Sequence, residues 1–284
     1  MKKTAVIIGS DVTKGARSPI LWNACFRHFD IDARMEPVDL NEEEETILFL
    51  TESIQEKSFI GGAVASPLKE VVANFFKEEK SGFLDPKNCF FRNENNFFVA
   101  INTDTLAAIE SIYTKRKIED LKNICILGSG AVAKSLANHL KDTPSKKYIF
   151  ARDFSEKELF ESFGFMALAL EVDTYPNQIS KYIEGLDLIV NCTSVGRDGS
   201  KENKIIINDE NLKKVNKNCL IFDVNYINAP SKLLSDAENL GIETLDGSRM
   251  NLMQAALAFN LANNNNFEQE EILSVMEKEV SKNL

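Results

Sequence analysis

Apolar residues alternate between two kinds of spacing over the first hundred residues. Short apolar and β-branched runs predict strands at 4–9, 34–40 and 59–65. Apolar residues at helical spacing follow the first and third runs, and a helix near 42–55 follows the second. This alternation of strands and helices is typical of an α/β domain.

Two of these predicted helices are preceded by a Ser-Pro pair. Ser18 with Pro19, and Ser66 with Pro67, each come after a predicted strand. Serine at the N-cap and proline at the first helical position favour a helix start, so we expect helices to begin there. Ligands of α/β sheets bind at the carboxyl ends of the strands, which makes both pairs candidates for a binding site.

The next segment predicts a hairpin and then a capped helix. The polar residues 93–96 separate the apolar runs 90–92 and 97–101, which is the pattern of a β-hairpin. Asn102, Thr103 and Asp104 then provide side chains that cap a following helix. We interpret this helix as the passage to a second domain.

A glycine-rich turn follows the apolar run 123–127. Gly128 would allow the tight turn, Gly130 would let the backbone approach a pyrophosphate, and Ala133 would let the next helix pack against the strand. The helix would direct its unpaired N–H groups at the anion. The pattern predicts a dinucleotide site, although a tight turn without a nucleotide has the same local sequence.

The remainder predicts a second α/β unit and a helical end. Further strands are predicted near 148–151, 165–172, 186–192 and 219–224. After Asp246 the pattern becomes wholly helical, and too few residues remain for a third domain. We expect these last helices to pack back on one of the first two domains.

Composition narrows the class of protein. The length of 284 residues suggests two domains, and 44% hydrophobic with 27% charged residues is typical of a soluble globular protein. A net charge of -10 disfavours nucleic acid as a partner. We expect no membrane partner, because no run approaches the ~18 apolar residues of a membrane span, and the start of the chain lacks a signal-peptide pattern. Five scattered cysteines without Cys-x-x-Cys spacing predict a reduced, cytoplasmic protein without a metal site.

Motifs spread along nearly the whole chain resemble the shikimate dehydrogenase family. Residues 16–19 read Ala-Arg-Ser-Pro where that family has Ser-x-Ser-Pro, and residues 63–70 read Ala-Val-Ala-Ser-Pro-Leu-Lys-Glu where it has Asn-Val-Thr-Val-Pro-Phe-Lys-Glu. The other matching segments follow in the family's order: 88–89, 102–104, 151–153, 191–196, 223–226, and 246–247 with Gln254. The chain is identified as a divergent member on this series.

The resemblance implies an α/β fold with two domains. An N-terminal α/β substrate domain would comprise residues 1–105 and 247–284, and a Rossmann dinucleotide-binding domain residues 106–246. The implied activity is transfer of a hydride between NADP(H) and a cyclic hydroxy acid such as shikimate, with 3-dehydroshikimate as the ketone. The enzyme would act as a monomer or a homodimer.

The resemblance also implies a role for individual residues. Lys69 and Asp104 would be the catalytic pair, the lysine handling the proton of the reacting oxygen and the carboxylate holding its ammonium. The implied substrate-binding residues are Ser18, Asn88, Gln254 and Tyr226, with Ser66 as an added hydroxyl. The implied cofactor-binding residues are Gly128, Ser129, Gly130, Ala131, Val132, Arg152, Asp153, Thr193, Ser194, Val195 and Gly247.

Three alanines depart from the family's pattern. Ala16, Ala63 and Ala65 stand where the family has hydrogen-bonding side chains for the substrate, and each lost bond to a buried polar group costs about 1–3 kcal/mol. Arg17 and Ser66 are candidate compensators. Two alternatives therefore stay open: the same chemistry on a non-shikimate cyclic alcohol or ketone, and a catalytically silent sensor of nucleotide or metabolite.

The choice of cofactor is also open. Arg152 favours NADP, because arginine suits the 2′-phosphate of the adenosine ribose. Asp153 and Glu156 favour NAD, because a carboxylate suits a free ribose hydroxyl, and Lys157 offsets them in part. The sequence predicts NADP, with NAD possible.

Overall fold

The chain divides into two structural units. The computed structural model describes residues 2–77, 83–152, 155–169, 178–195, 206–226 and 230–282. One unit comprises Met1–Leu106 with Leu252–Leu284, and the other comprises Ala107–Asn251. Of the helices in these described ranges, none has the length and apolar character needed to cross a membrane.

The described residues form eleven strands and ten α-helices. The strands are β1 Lys3–Gly9, β2 Ala33–Asp39, β3 Phe59–Val64, β4 Cys89–Arg92, β5 Phe98–Ile101, β6 Asn123–Leu127, β7 Lys146–Ala151, β8 Phe165–Ala169, β9 Leu188–Asn191, β10 Leu220–Asp223 and β11 Glu243–Leu245. The helices are α1 Ser18–His28, α2 Glu43–Ser53, α3 Lys69–Phe75, α4 Thr103–Tyr113, α5 Ala131–Leu140, α6 Lys157–Ser162, α7 Asp209–Leu212, α8 Lys232–Asn239, α9 Gly247–Ala262 and α10 Gln269–Ser281.

The first unit contains a five-stranded mixed sheet in the order β2-β1-β3-β4-β5. Strands β1, β2 and β3 are parallel, and β4 is antiparallel to both of its neighbours. The predicted strands of this half of the chain and the predicted hairpin are confirmed. Because β5 runs in the same direction as β3, the carboxyl ends of β1, β3 and β5 lie at one edge of the sheet.

The core of the first unit includes one apolar cluster in which strand residues pack with residues of α2 and α3. Leu50 of α2 and Val72 of α3 are fully buried in a cluster with Ile8 of β1. A second contact involves aromatic rings, since Trp22 of α1 lies edge-on to Phe259 of α9 at a centroid distance of 5.5 Å. The last two helices thus pack back on the N-terminal unit, as predicted.

The second unit contains a six-stranded parallel sheet in the order β11-β10-β9-β6-β7-β8. This is the strand order of a doubly wound dinucleotide-binding fold, with the direction of winding reversing between β6 and β9. The predicted Rossmann fold is confirmed. The sequence pattern does not predict β11, because a three-residue strand that begins with glutamate carries little hydrophobic pattern.

The predicted helix starts at the two Ser-Pro pairs are wrong in detail. Helix α1 includes Ser18, so Pro19 is its second residue and Arg17 is the N-cap. The Ser66-Pro67 peptide bond is cis, and α3 begins only at Lys69. The N–H of Leu68 donates to the carbonyl oxygen of Ala65 at 3.1 Å, so a turn is completed before the helix starts.

Close backbone approach at Gly62 leads to a stability prediction. An added Cβ there would collide with the carbonyl oxygen of Val6 on the neighbouring strand. Gly62→Ala should lower the free energy of unfolding by about 3 kcal/mol or more, as overpacking in a core does. Urea unfolding would measure this. Gly15→Ala is the control, because nothing lies within 4 Å of its added Cβ, and equal stability of the two variants would contradict the prediction.

Candidate active site

Three polar residues of the first unit lie at the shared carboxyl edge of β3 and β5. Lys69 is the first residue of α3, which follows β3, and Asp104 is the second residue of α4, which follows β5. Asn88 immediately precedes the antiparallel strand β4. Strand direction therefore brings together residues that are far apart in the sequence.

Lys69 and Asp104 form an ion pair. The lysine Nζ lies 2.5 Å from Asp104 Oδ2, and the side chains are 17% and 13% exposed. At this distance the ammonium donates a charge-assisted hydrogen bond to the carboxylate. The pair is shielded from water yet still reachable, which suits a group that exchanges a proton with a bound molecule.

Asn88 holds the other oxygen of that carboxylate. Its buried amide Nδ2 donates to Asp104 Oδ1 at 3.0 Å, to Thr103 Oγ1 at 2.8 Å and to Gln254 Oε1 at 3.1 Å. Its Oδ1 accepts from the Thr103 N–H at 2.6 Å. The four residues Asn88, Thr103, Asp104 and Gln254 therefore form one hydrogen-bonded group around Lys69, and Asn88 orients Asp104.

The sequence pattern identifies Thr103 only as a helix-capping residue and not as part of the candidate site. This fully buried threonine donates through Oγ1 to the carbonyl oxygen of Gln254 at 3.1 Å, which ties α4 to α9. Its neighbour Asn102 accepts from the Thr105 N–H at 3.0 Å, so the predicted helix cap is confirmed there. The only sequence signal for Thr103 was its place between the capping Asn102 and the catalytic candidate Asp104.

The other predicted substrate residues lie in different surroundings. Ser18 is half-buried in the first turn of α1, whereas Ser66 is exposed in the turn after β3. Tyr226 is half-buried and belongs to the second unit, in the segment that follows β10. Their proposed roles toward a substrate stay predictions.

Around Ala63, beside this polar cluster, the same edge is apolar or only weakly polar. Ala63 is buried and lies opposite Cys89 across the β3–β4 ladder. Burial, together with the negative charge of Asp104, raises the pKa of the Cys89 thiol, so this side chain stays neutral and offers only a weak donor. Ala65 follows β3 and is packed closely enough that a Cβ added at Gly9 would lie 2.7 Å from its own Cβ.

In the second unit, the glycine turn after β6 has the geometry that the sequence predicted. Gly128 has φ of +100°, a conformation that favours glycine, and an added Cβ would lie 3.0 Å from Thr193 Cγ2. Gly130 caps α5, and nothing lies within 4 Å of the position of its added Cβ. Ser129 lies between these glycines, and Ala131 and Val132 open the helix with N–H groups available to an anion. The turn fits a pyrophosphate.

A second turn lies beside the first because β6 and β9 are neighbours. The Cys192 N–H donates to the Leu127 carbonyl oxygen at 2.8 Å, which places residues 193–195 next to Gly128. Thr193 Oγ1 donates to Asn191 Oδ1 at 2.7 Å and accepts from the Val195 N–H at 3.2 Å, spanning Ser194. Ligands of doubly wound sheets bind at this reversal of strand order.

A buried carboxylate fixes this second turn. Asp223 Oδ1 accepts from the side chains of Asn191 and Asn225 at 3.1 and 2.9 Å, and Oδ2 accepts from Ser231 Oγ at 2.7 Å. Asn225 Nδ2 also donates to the Thr193 carbonyl oxygen at 2.9 Å. Burial raises the pKa of Asp223, and its hydrogen bonds act in the opposite direction. Sequence matching found this segment but not its role.

The last predicted cofactor residues lie at the ends of separate elements. Arg152 directly follows β7 and is exposed, whereas Asp153 lies outside the described residues. Gly247 begins α9, and its N–H donates to the Asn225 carbonyl oxygen at 3.1 Å. An added Cβ at Gly247 would collide with the Val224 carbonyl oxygen.

The next features are the state of the cysteine thiols and the metal-binding capacity of the described side chains. All five cysteines are free thiols, and four of them are buried. In the part of the chain that the structure describes, no group of three or more His, Cys, Asp and Glu side chains could hold a metal ion.

Comparison with known proteins confirms the resemblance predicted from the motifs. No protein-family model matches the chain. It is 28% identical over 257 residues to the shikimate dehydrogenase (NADP(+)) of Pyrococcus abyssi, covering 90% of each chain. It is also 28% identical over 266 residues to the enzyme of that name from Alkaliphilus oremlandii, covering 91% of each.

Solved structures confirm the fold. The shikimate dehydrogenase of Aquifex aeolicus superposes with a TM-score of 0.80 at 24% identity, over 98% of this chain and 97% of that one. The shikimate 5-dehydrogenase of Listeria monocytogenes, in complex with shikimate and NAD, gives 0.81 at 19% identity over 97% and 96%. The 5-ketofructose reductase of a Gluconobacter strain gives 0.75 at 20% identity over 98% and 99%.

The raised pKa of Asp223 predicts a specific pH dependence of stability. A buried carboxyl whose pKa is raised on folding binds its proton more tightly in the folded state, so its contribution to stability is lost as pH rises from about 4 through the raised value. Asp223→Asn removes this titration, and its new amide can donate to Ser231 Oγ. The stability of the wild type relative to Asp223→Asn should therefore fall between pH 4 and pH 7, as measured by urea unfolding. A difference that is constant, or that grows with pH, would show that hydrogen bonds outweigh burial at this site.

Proposed function

We propose that this protein is an NADP(H)-dependent oxidoreductase of shikimate dehydrogenase type, which interconverts a cyclic hydroxy acid such as shikimate and the corresponding ketone. The observation that carries the proposal is the ion pair of Lys69 with Asp104, held by Asn88, in a chain similar over 90% of its length to curated shikimate dehydrogenases. The reaction is oxidation or reduction at a CH–OH group.

The two units have different parts in this proposal. We assign residues 1–105 and 247–284 to the substrate domain and residues 106–246 to the cofactor domain, so each boundary lies within about five residues of a boundary between the two structural units. The first contains the Lys69 cluster, and the second contains the glycine turn. We place the enzyme in the cytoplasm, because its unpaired cysteines suit a reducing compartment. We expect it to act as a monomer or a homodimer.

The chemistry of the ion pair suits proton transfer. Bound NADP(H) supplies or accepts the hydride. In the reducing direction, the carbonyl oxygen gains negative charge, and Lys69 Nζ donates a proton to it. Asp104 keeps the ammonium oriented through Oδ2, while Asn88 holds Oδ1. In the oxidising direction, neutral Lys69 takes the proton from the alcohol.

The second unit supports the choice of a dinucleotide. Pyrophosphate would bind the N–H groups of residues 128–132, and the turn 193–195 would line the adjacent position. Arg152 would hold the 2′-phosphate of NADP, in keeping with the NADP(+) in the names of both curated relatives. NAD stays possible, since the Listeria neighbour was crystallised with it.

A related substrate is the second candidate. At Ala63 and Cys89 the edge has little capacity to bind hydroxyl groups, and Ala65 adds none. A cyclic alcohol with fewer hydroxyls than shikimate fits this surface better. The Gluconobacter neighbour shows that the same fold also occurs in a protein named for another substrate.

Removing the lysine tests the catalytic assignment. Lys69→Ala should lower kcat by about 10²–10⁴, the usual contribution of a positioned acid or base, while NADPH affinity stays unchanged. Lys87→Ala is the matched control, since Lys87 also pairs with a carboxylate, Asp85, at 3.3 Å in the same unit. Cofactor oxidation and reduction with a panel of cyclic polyols and ketones provides the readout.

Two results of that experiment would change the proposal. Unchanged turnover in Lys69→Ala would show that Lys69 takes no part in the chemistry. If the wild type binds NADPH tightly but turns over no substrate in the panel, the protein is a nucleotide or metabolite sensor.

Introducing a hydroxyl at residue 65, where the family has threonine, tests which substrate the protein prefers. Ala65→Thr should raise kcat/KM for shikimate by about three- to tenfold, the range expected of one net hydrogen bond. Ala33→Thr, at the amino end of β2, is the control for the same substitution away from the site. Assays would compare shikimate, quinate and amino analogues. Efficient turnover of shikimate by the wild type, unaffected by Ala65→Thr, would exclude a substrate with fewer hydroxyls.

A further inference from the structure

The carboxyl end of β7 is the place where a doubly wound fold distinguishes NAD from NADP. In this fold the adenosine ribose is recognised about 20 residues after the glycine turn, by a carboxylate for a free 2′-hydroxyl or by an arginine for a 2′-phosphate. Here Arg152 follows β7 directly, and Glu156 immediately precedes α6. Both kinds of side chain are therefore present in the short segment that joins β7 to α6.

An unpaired Glu156 would oppose a 2′-phosphate. A carboxylate and a phosphate are both anionic, and their repulsion grows where protein displaces water. Lys157 is a poor counter-ion for Glu156, because it pairs with Glu161 at 3.5 Å and both of those side chains are about half exposed. Such exposed pairs have little effect on neighbouring charges.

Lys134 provides the opposite charge. Its Nζ lies 2.9 Å from Glu156 Oε1, and its side chain is 12% exposed while that of Glu156 is 38% exposed. Lys134 lies near the amino end of α5, the helix that opens at the glycine turn. One helix thus contributes both the N–H groups that suit the pyrophosphate and the ammonium that neutralises Glu156.

We infer that Lys134 shifts cofactor preference as a positioning residue: by pairing with Glu156 it reduces the repulsion between that carboxylate and a 2′-phosphate, which favours the binding of NADPH by Arg152. This inference rests on the proposed function. Lys134 would thus discriminate between NADPH and NADH without itself touching the cofactor.

Binding titrations on three variants test the inference. Calorimetry would give Kd for NADPH and NADH with the wild type, Lys134→Met, Glu156→Gln and the double variant. Lys134→Met should weaken NADPH binding about tenfold more than NADH binding, because Glu156 is left unpaired. Glu156→Gln should keep or increase the preference for NADPH. The double variant should regain the wild-type ratio to within about threefold, since neither charge of the pair remains.

The double variant distinguishes this inference from a direct contact between Lys134 and the 2′-phosphate. If it stays as weak toward NADPH as Lys134→Met, the lysine binds the phosphate itself and the inference is wrong. An unchanged NADPH to NADH ratio in Lys134→Met, or a shift toward NADH in Glu156→Gln, would also overturn it. Melting temperatures would show that all variants are folded.

A charge control and the wild type complete the experiment. Lys146→Met removes one lysine at the amino end of β7, at the opposite edge of the sheet, and should leave the ratio unchanged. A similar loss in this variant would mean that net charge alone sets the preference. If the wild type binds neither NADPH nor NADH, the proposed function fails, whereas binding with an unaltered ratio in Lys134→Met contradicts only the inference.

Discussion

The side-chain amide of Asn88 is the group on which the first unit's polar cluster depends. A buried amide is costly unless its donors and acceptor are satisfied, and Asn88 meets this requirement with Thr103, Asp104 and Gln254. Its backbone also bridges two strands, accepting from the Val64 N–H and donating to the Ile101 carbonyl oxygen. The orientation of Asp104, and through it of Lys69, therefore follows from a residue that is fixed by the sheet.

In the second unit, a buried carboxylate with satisfied hydrogen bonds has the role that the Asn88 amide has in the first. Asp223 is buried at the carboxyl end of β10, in register with Asn191 on β9, and accepts hydrogen bonds from both asparagine side chains around it. Through Asn225 this network reaches the carbonyl oxygen of Thr193. Loops at the carboxyl edge of a parallel sheet lack strand partners, so a satisfied buried polar group gives them a defined shape.

Polar groups that are lost or neutralised shape the proposed specificity. Ala63 opposite a neutral Cys89 reduces hydrogen bonding toward a substrate, whereas the pairing of Lys134 with Glu156 reduces a negative charge toward a cofactor. Both follow one principle, since an unpaired polar group or charge that faces a ligand discriminates between ligands. In the proposed enzyme, Lys69 and Asp104 would carry out the general chemistry, and other residues of each unit would select among ligands.

The sequence by itself determined most of the order of strands and helices, the glycine turn and the resemblance to the shikimate dehydrogenases. These features depend on hydrophobic periodicity and turn chemistry, which are properties of residues close together in the sequence. It did not determine the start of α3, where a turn through Ala65 and Leu68 delays the helix past Ser66 and Pro67. Only the tertiary structure decided which partners the polar side chains have. Lys134 and Glu156 are separated by a whole strand, and their ion pair exists because the parallel strands β6 and β7 end at a common edge. Asn88 and Gln254 are 166 residues apart, and their hydrogen bond exists because α9 packs back on the N-terminal unit. The roles of these residues in binding and catalysis stay predictions, since proton transfer and cofactor choice depend on the charge and geometry that folding creates.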